Sequence, residues 1–316
     1  MSDEDLEKSL KDFLFNTWKN NHVFRDNINF LTQVPLKTLP REIMLDTLER
    51  TEDFYYHDLS HATPPPGDSE LHILDIPNTI DLILENPKSF CRYGDGELRI
   101  MVGSSQHFQP YHEDLGRRLR EIIESSNDKC YVGIDGRYFT STVNYSENFK
   151  RFSKINGLLL RSLILKYCNR KRLYINAAFT CLHDTFNFDV PKYAELTKKL
   201  KELFRGRNLV IFCGQTVFDK IKYDIFEFAA KRTYVFAQSI NAWNQYEEIM
   251  AVARDFPKEK STLCFILGPT ATVVAYDLAQ EGYTAWDIGH IAKEYDAYMK
   301  YLDGNKNSLE KFFAPD

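Results

Sequence analysis

Asp95 and Glu97 are the residues of this chain best spaced for chemistry, in Ser89-Phe90-Cys91-Arg92-Tyr93-Gly94-Asp95-Gly96-Glu97-Leu98-Arg99-Ile100. Residues 90–93 read as a short buried strand that breaks at Gly94 and passes both carboxylates into a turn, with a helix starting near Leu98. Side chains at i and i+2 share one side of a strand but lie about 200° apart on a helix, so they meet at one ion only from a strand end or a turn. Two such carboxylates suit a hard divalent cation, Mg²⁺ or Mn²⁺, which prefers oxygen ligands. Arg92 adds a fixed positive charge beside them. The same stretch equally suits a tight turn entering a helix whose acidic first turn complements the helix dipole.

Other strand ends carry weaker signals. The apolar run 262–267 ends in Gly268-Pro269-Thr270-Ala271-Thr272, where Gly268 permits close approach of a ligand, Pro269 fits a helix start, and the amides with two hydroxyls form a cradle for a diphosphate. Without a P-loop or GxGxxG pattern, a plainly capped helix explains these residues as well. The run 208–213 ends similarly in Gly214-Gln215-Thr216. The strand at 284–286 ends in Asp287-Ile288-Gly289-His290, with Glu294 one turn along. Asp287, His290 and Glu294 are placed where a general base or a ligand for a substrate hydroxyl would sit, although an N-cap Asp and a surface His–Glu pair give the same pattern. His57 and His61 have the spacing of a helical metal pair, but no HExxH accompanies them and chance explains them better.

The elements that must position these residues are short apolar strands alternating with helices after residue 68. Strands are expected at 90–93, 130–134, 172–176, 208–213, 233–237, 262–267 and 284–286, with helices at 77–85, 112–125, 155–167, 190–204, 223–230, 243–254, 271–281 and 291–301. Continuous apolar strands of this kind belong to a parallel sheet covered on both faces, so a single Rossmann-like α/β domain is expected over 68–316, with ligands beyond the carboxyl ends of the strands. Ala62-Thr63-Pro64-Pro65-Pro66-Gly67-Asp68 is a breaker-rich linker. Before it, 2–20 and 40–56 read as amphipathic helices, giving a helical N-terminal extension over 1–67.

Three of these motifs, in this order and spacing, resemble the bacterial GT-D-type glycosyltransferases: Arg92 to Glu97, the run from Gly268 to Ala279, and Asp287-Ile288-Gly289-His290 with Glu294-Tyr295. Ser239-Ile240-Asn241-Ala242-Trp243 resembles the family's segment between the last strands, and the likeness covers roughly 85–302. It implies a Rossmann-like domain that binds a nucleotide sugar, typically a UDP-hexose, with Arg92, Gly94, Gly214, Gln215, Asn241, Gly268, Pro269, Thr270 and Thr272 around the nucleotide. It also implies that the D-x-E pair, here Asp95 and Glu97, is required for activity and associated with a divalent metal. Cys181 replaces the usual Arg after the Thr of the central strand end, and Cys213 the usual acid before the next strand-end glycine.

Metal-assisted transfer of glucose or galactose from a UDP-sugar to a hydroxyl of a protein-, lipid- or polysaccharide-linked glycan is therefore the expected function. Asp287, His290 or Glu294 would hold or deprotonate the acceptor. A metal-dependent phosphohydrolase or nucleotidyltransferase would use similar parts, but usually with two metals on several carboxylates. A nucleotide-binding scaffold in a glycan-assembly complex is the non-catalytic alternative. A net charge of −5 gives no field for nucleic acid, and the basic clusters at 117–120 and 170–172 read as solvated faces. Six cysteines scattered without a CxxC pair suit buried free thiols in a reducing cytoplasm. No apolar run reaches the ~18 residues of a spanning helix. The acceptor's membrane linkage leaves attachment at the inner face of the membrane open, and the N-terminal helices are a surface through which two copies could pair.

Overall fold

The computed structural model describes residues 71–140 and 145–305. The expected extension over 1–67, with His57 and His61 and the surface for a homodimer, lies outside them. The chain divides into two compact units, Pro64–Arg151 with Leu159–Asp316, and Met1–Thr63 with Phe152–Leu158. Of the second, only 152–158, a stretch of helix, is described.

In the larger unit the strands are β1 (His72–Ile73), β2 (Ser89–Tyr93), β3 (Cys130–Ile134), β4 (Leu173–Asn176), β5 (Asn208–Gly214), β6 (Lys231–Ala237), β7 (Thr262–Ile266) and β8 (Thr284–Asp287). The described α-helices are α1 (Ile76–Glu85), α2 (Asp95–Met101), α3 (Glu113–Glu124), α4 (Glu147–Tyr167, of which 152–158 are assigned to the other unit), α5 (Pro191–Phe204), α6 (Tyr246–Arg254), α7 (Pro269–Gln280) and α8 (Ile291–Leu302). All eight strands join one parallel sheet in the order β1-β4-β3-β2-β8-β7-β5-β6. The central strands are buried on both faces, as their unbroken apolar runs require. β6 alternates exposed and half-buried residues because it is an edge strand.

Under α1, α5 and α8 the core is aromatic: Phe90 stacks on Trp286 at 5.4 Å, and Phe179 and Phe204 meet this pair edge-on at 5.3 and 6.0 Å. Such pairs gain about 0.5–1.5 kcal/mol beyond their area burial. One expected helix is absent. Residues 223–230 form turns, in which Asp296 Oδ1 accepts from the Lys222 and Tyr223 amides at 2.8 and 3.0 Å and Asp224 Oδ1 from the Phe226 amide at 2.8 Å. Two helices also start elsewhere: α4 begins at Glu147 under the Ser146 cap, and α6 at Tyr246 after a 3₁₀ turn entered from left-handed Asn241.

β2 pairs with both β3 and β8. After β2 the chain passes through α2 and α3 to the face covered by α7, whereas after β8 it turns into α8, on the face of α5. The connections therefore part in opposite directions between β2 and β8, and the crevice at a topological switch point opens at their carboxyl ends.

Candidate active site at the carboxyl ends of β2 and β8

The helix after β2 begins at Asp95, one residue after Gly94, and not near Leu98. This corrects the expectation that Asp95 and Glu97 leave a turn side by side: they occupy the first helical turn, about 200° apart. Glu97 folds back so that its Oε2 accepts from the Gly94 amide at 2.7 Å, which supplies one of the partners a helix start lacks. Asp95 projects the other way, its side chain 44% exposed and 3.7 Å from Arg99. Burial, reinforced by the nearby Asp287 carboxylate, pushes the Glu97 carboxyl up to about 7, against the pull of Arg92 and the Gly94 amide. Partial burial also raises the Asp95 carboxyl, and Arg99 opposes it. From a helical turn the two carboxylates cannot both reach one ion, so a hard divalent cation here would take a single carboxylate, Asp95 or Glu97, and complete its shell with other oxygens such as those of a diphosphate.

Asp287 ends β8 almost fully buried. Its Oδ1 accepts from Arg92 Nη2 at 2.9 Å, and its Oδ2 from the Arg92 amide at 3.2 Å and from Thr272 Oγ1 at 3.3 Å. Arg92 also donates through Nε to the Asp287 carbonyl at 2.7 Å and through Nη1 to Thr180 Oγ1 at 2.8 Å. These bonds lock the ends of β2, β8 and the turn after β4 to one another. They also correct the expected trio of bases. Asp287 is saturated by Arg92 and Thr272. Glu294 is buried and accepts from the His183 amide at 2.6 Å, from Tyr193 Oη and from the His183 ring. His290 alone is exposed at the mouth of the crevice. Gly289 has φ +47°, and a Cβ there would collide with the Arg92 guanidinium. Gly289→Ala is therefore expected to destabilise the fold by about 1–3 kcal/mol, read as a lower denaturant midpoint at unchanged slope.

The cradle expected at the start of α7 is only partly what its residues suggested. Gly268, at φ +55° and exposed, leaves the backbone approachable. Thr270 and Thr272, however, are fully buried and turn their hydroxyls inward, Thr270 to Gln109 Oε1 at 3.3 Å and Thr272 to the Arg92 carbonyl at 2.9 Å. Gln109 is a residue that sequence reasoning missed. It is buried, donates to Asn241 Oδ1 at 2.8 Å and accepts from the Trp243 amide at 3.3 Å. His112 Nε2 lies 2.9 Å from the same Asn241 oxygen, and Asn241 itself is left-handed at φ +57°. Asn241 thus shapes the wall between the loop after α2 and the loop after β6. Gly214 lies against Ser239, leaving no room there for a Cβ, and Gln215 is exposed beyond it.

Asp135 and Arg137 were also missed. They follow β3 as a buried ion pair, with Arg137 Nη2 donating to Asp135 Oδ2 at 2.7 Å and its guanidinium 3.9 Å from the Phe149 ring centre. The signal was present: Asp135-Gly136 directly follows an apolar strand, as Gly94-Asp95 does. All six cysteines are free, five of them buried and Cys181 half-buried. No described helix is long and apolar enough to cross a membrane.

A wholly parallel, doubly covered sheet with its polar residues gathered at one switch point defines an α/β protein of the kind that binds its ligand across the strand ends. A family model described as glycosyltransferase GT-D fold matches residues 90–314, and the chain belongs to that family. It is 32% identical over 260 residues to a probable glycosyl transferase Gly of Streptococcus gordonii, covering 79% of this chain and 37% of that protein. To the glycosyltransferase GlyD of Streptococcus pneumoniae it is 27% identical over 252 residues, 78% of this chain and 30% of the other. It thus spans about a third of the length of these curated relatives. The solved structure of a new glycosyltransferase from Streptococcus sanguinis superposes with a TM-score of 0.68 at 30% identity, over 73% of this chain and 86% of that one. The single α/β sheet flanked by helices is the architecture expected from the sequence.

Proposed function

We propose that this protein transfers a hexose, glucose or galactose, from a UDP-sugar to a hydroxyl of an acceptor glycan, with Mg²⁺ or Mn²⁺ held by one carboxylate of the Asp95–Glu97 pair together with the diphosphate of the donor. The observation that carries the reading is Glu97: a half-buried carboxylate at the switch point, with the Asp287 carboxylate nearby, in a family of glycosyltransferases. A divalent cation bound there would offset the charge that develops on the departing nucleoside diphosphate. Around it the chain's own residues prepare the crevice. The Gly94 amide orients Glu97, and the Arg92–Asp287–Thr272 lock holds the strand ends at fixed separation. The backbone at Gly268 admits the diphosphate to the start of α7, where the helix dipole favours an anion. The loop bearing Asn241, fastened by Gln109, closes one side. Exposed His290 is the group of the expected trio suited to take the proton from the acceptor hydroxyl.

Calorimetric titration with UDP, with and without Mn²⁺, tests the donor site. Binding is expected to depend on the metal and to weaken at least about tenfold in an Asp95→Ala, Glu97→Ala variant. If UDP fails to bind under either condition, the donor assignment falls. With a donor and acceptor present, release of UDP together with a lengthened glycan is the expected product pair; free phosphate from simple esters would indicate hydrolysis instead.

A further inference from the structure

A second constellation lies beside the crevice and has no part in the transfer proposed above. Cys181 sits between two 3₁₀ turns, Ala177–Thr180 and Leu182–Asp184, beyond the carboxyl end of β4. His183 follows it at i+2, and Glu294 reaches the same point from the first turn of α8. One ligand atom from each of Cys181, His183 and Glu294 lies within 4.8 Å of the other two, and no other group of three or more His, Cys, Asp or Glu gathers this closely among the described residues.

We propose that Cys181, His183 and Glu294 form a binding site for a divalent cation of the zinc class. Thiolate, imidazole and carboxylate together suit a borderline-soft ion, in contrast to the all-oxygen Asp95–Glu97 pair. Three protein ligands leave a fourth, open position, which half-buried Cys181 places on the accessible side. The carboxylate is held ready: Glu294 Oε1 accepts from the His183 amide at 2.6 Å and from Tyr193 Oη, which directs Oε2 toward the imidazole. Supporting bonds of this kind orient metal ligands and are costly to remove. Binding releases the Cys181 thiol proton to solvent as the sulfur–metal bond forms, the proton between the His183 ring and Glu294 moves to the other ring nitrogen or to solvent, and no oxidant or reductant is needed. The site adjoins the active crevice through Thr180, whose hydroxyl accepts from Arg92.

The test uses the full chain carrying Asp95→Ala and Glu97→Ala, so that the hard-cation site cannot contribute. After stripping with a chelator, it is titrated with Co²⁺ and then with Zn²⁺. One Co²⁺ per chain is expected, with a thiolate-to-cobalt charge-transfer absorption that Zn²⁺ abolishes. Adding Cys181→Ser should remove the band and weaken Zn²⁺ binding at least about 100-fold, while Tyr193→Phe should weaken it about 10-fold and Cys213→Ser should change neither. Zinc X-ray absorption on this background, with the native Cys181, should count one sulfur neighbour, a readout that stands even if Cys181→Ser fails to fold. A cobalt spectrum without thiolate character, a zinc shell without sulfur, or Zn²⁺ affinity unchanged in a folded Cys181→Ser protein would overturn the proposal.

Discussion

Glu97→Gln is expected to abolish sugar transfer, by roughly 10³-fold or more, and yet to leave the metal-free protein more stable above neutral pH. The loss of activity follows from removing a carboxylate of the proposed cation site. The gain in stability follows from the position of that carboxylate. Burial and Asp287 push its pKa up to about 7 from the ordinary 4.5, so the folded state holds the proton more tightly than the unfolded chain does. Below pH 4.5 both states are protonated and the group costs nothing. As pH rises from 4.5 to about 7 the unfolded chain ionises freely while the folded one resists, and stability falls by an amount that levels off above 7, at most about 3 kcal/mol. Gln carries no such charge, and its side-chain carbonyl can still accept from the Gly94 amide. Urea denaturation in a chelator at pH 4 and pH 8 reads the result: wild type and variant should be close at pH 4, with the variant ahead at pH 8. A variant less stable at both pH values would mean that the carboxylate is a structural cap and the crevice has no deficit of positive charge.

Arg92→Ala is the second large effect, and here the expectation is loss of the fold's rigidity at the site. The guanidinium is the main partner of a nearly fully buried Asp287, and removing one member of a buried pair costs about 3–5 kcal/mol because the other charge is stranded. For a domain of this size that lowers the melting temperature on the order of 10 °C. Arg92→Lys should recover only part of the loss, since an ammonium cannot reach Asp287 Oδ1, the Asp287 carbonyl and Thr180 Oγ1 together. Combining Arg92→Ala with Asp287→Asn should restore about half of the lost stability by removing the stranded charge. Additive melting shifts in that double variant would show that the two side chains are not coupled. Transfer should be weakened in all of these variants, because Arg92 ties together the two strand ends that frame the crevice.

Much of the framework was legible in the linear chain. The unbroken apolar runs at 208–213 and 262–267 can be satisfied only by strands with both faces covered, and their alternation with helices implies parallel pairing, so the sheet and the end that carries the site follow from local patterns. The turn at 223–230 was not legible as a turn. The segment is anchored instead by Asp296, more than seventy residues further on, whose carboxylate accepts from two of its backbone amides. Gln109 gave no local signal for the same reason, since it acquires its role from residues brought alongside by the sheet order.

The sequence by itself determined which strand ends carry carboxylates, glycines and hydroxyls, because residue types and glycine breaks are local properties of the chain. Only the tertiary structure decided what those groups are committed to. Asp287, Thr270 and Thr272 look like ligand-facing groups beside a strand end, yet pairing β2 with β8 and laying α7 across them spends their hydrogen bonds inside the protein. Glu97, which reads as half of a symmetric pair with Asp95, is instead folded inward by a helix that starts at Asp95. A buried polar group must find partners where the fold places them, and those partners come from distant parts of the chain.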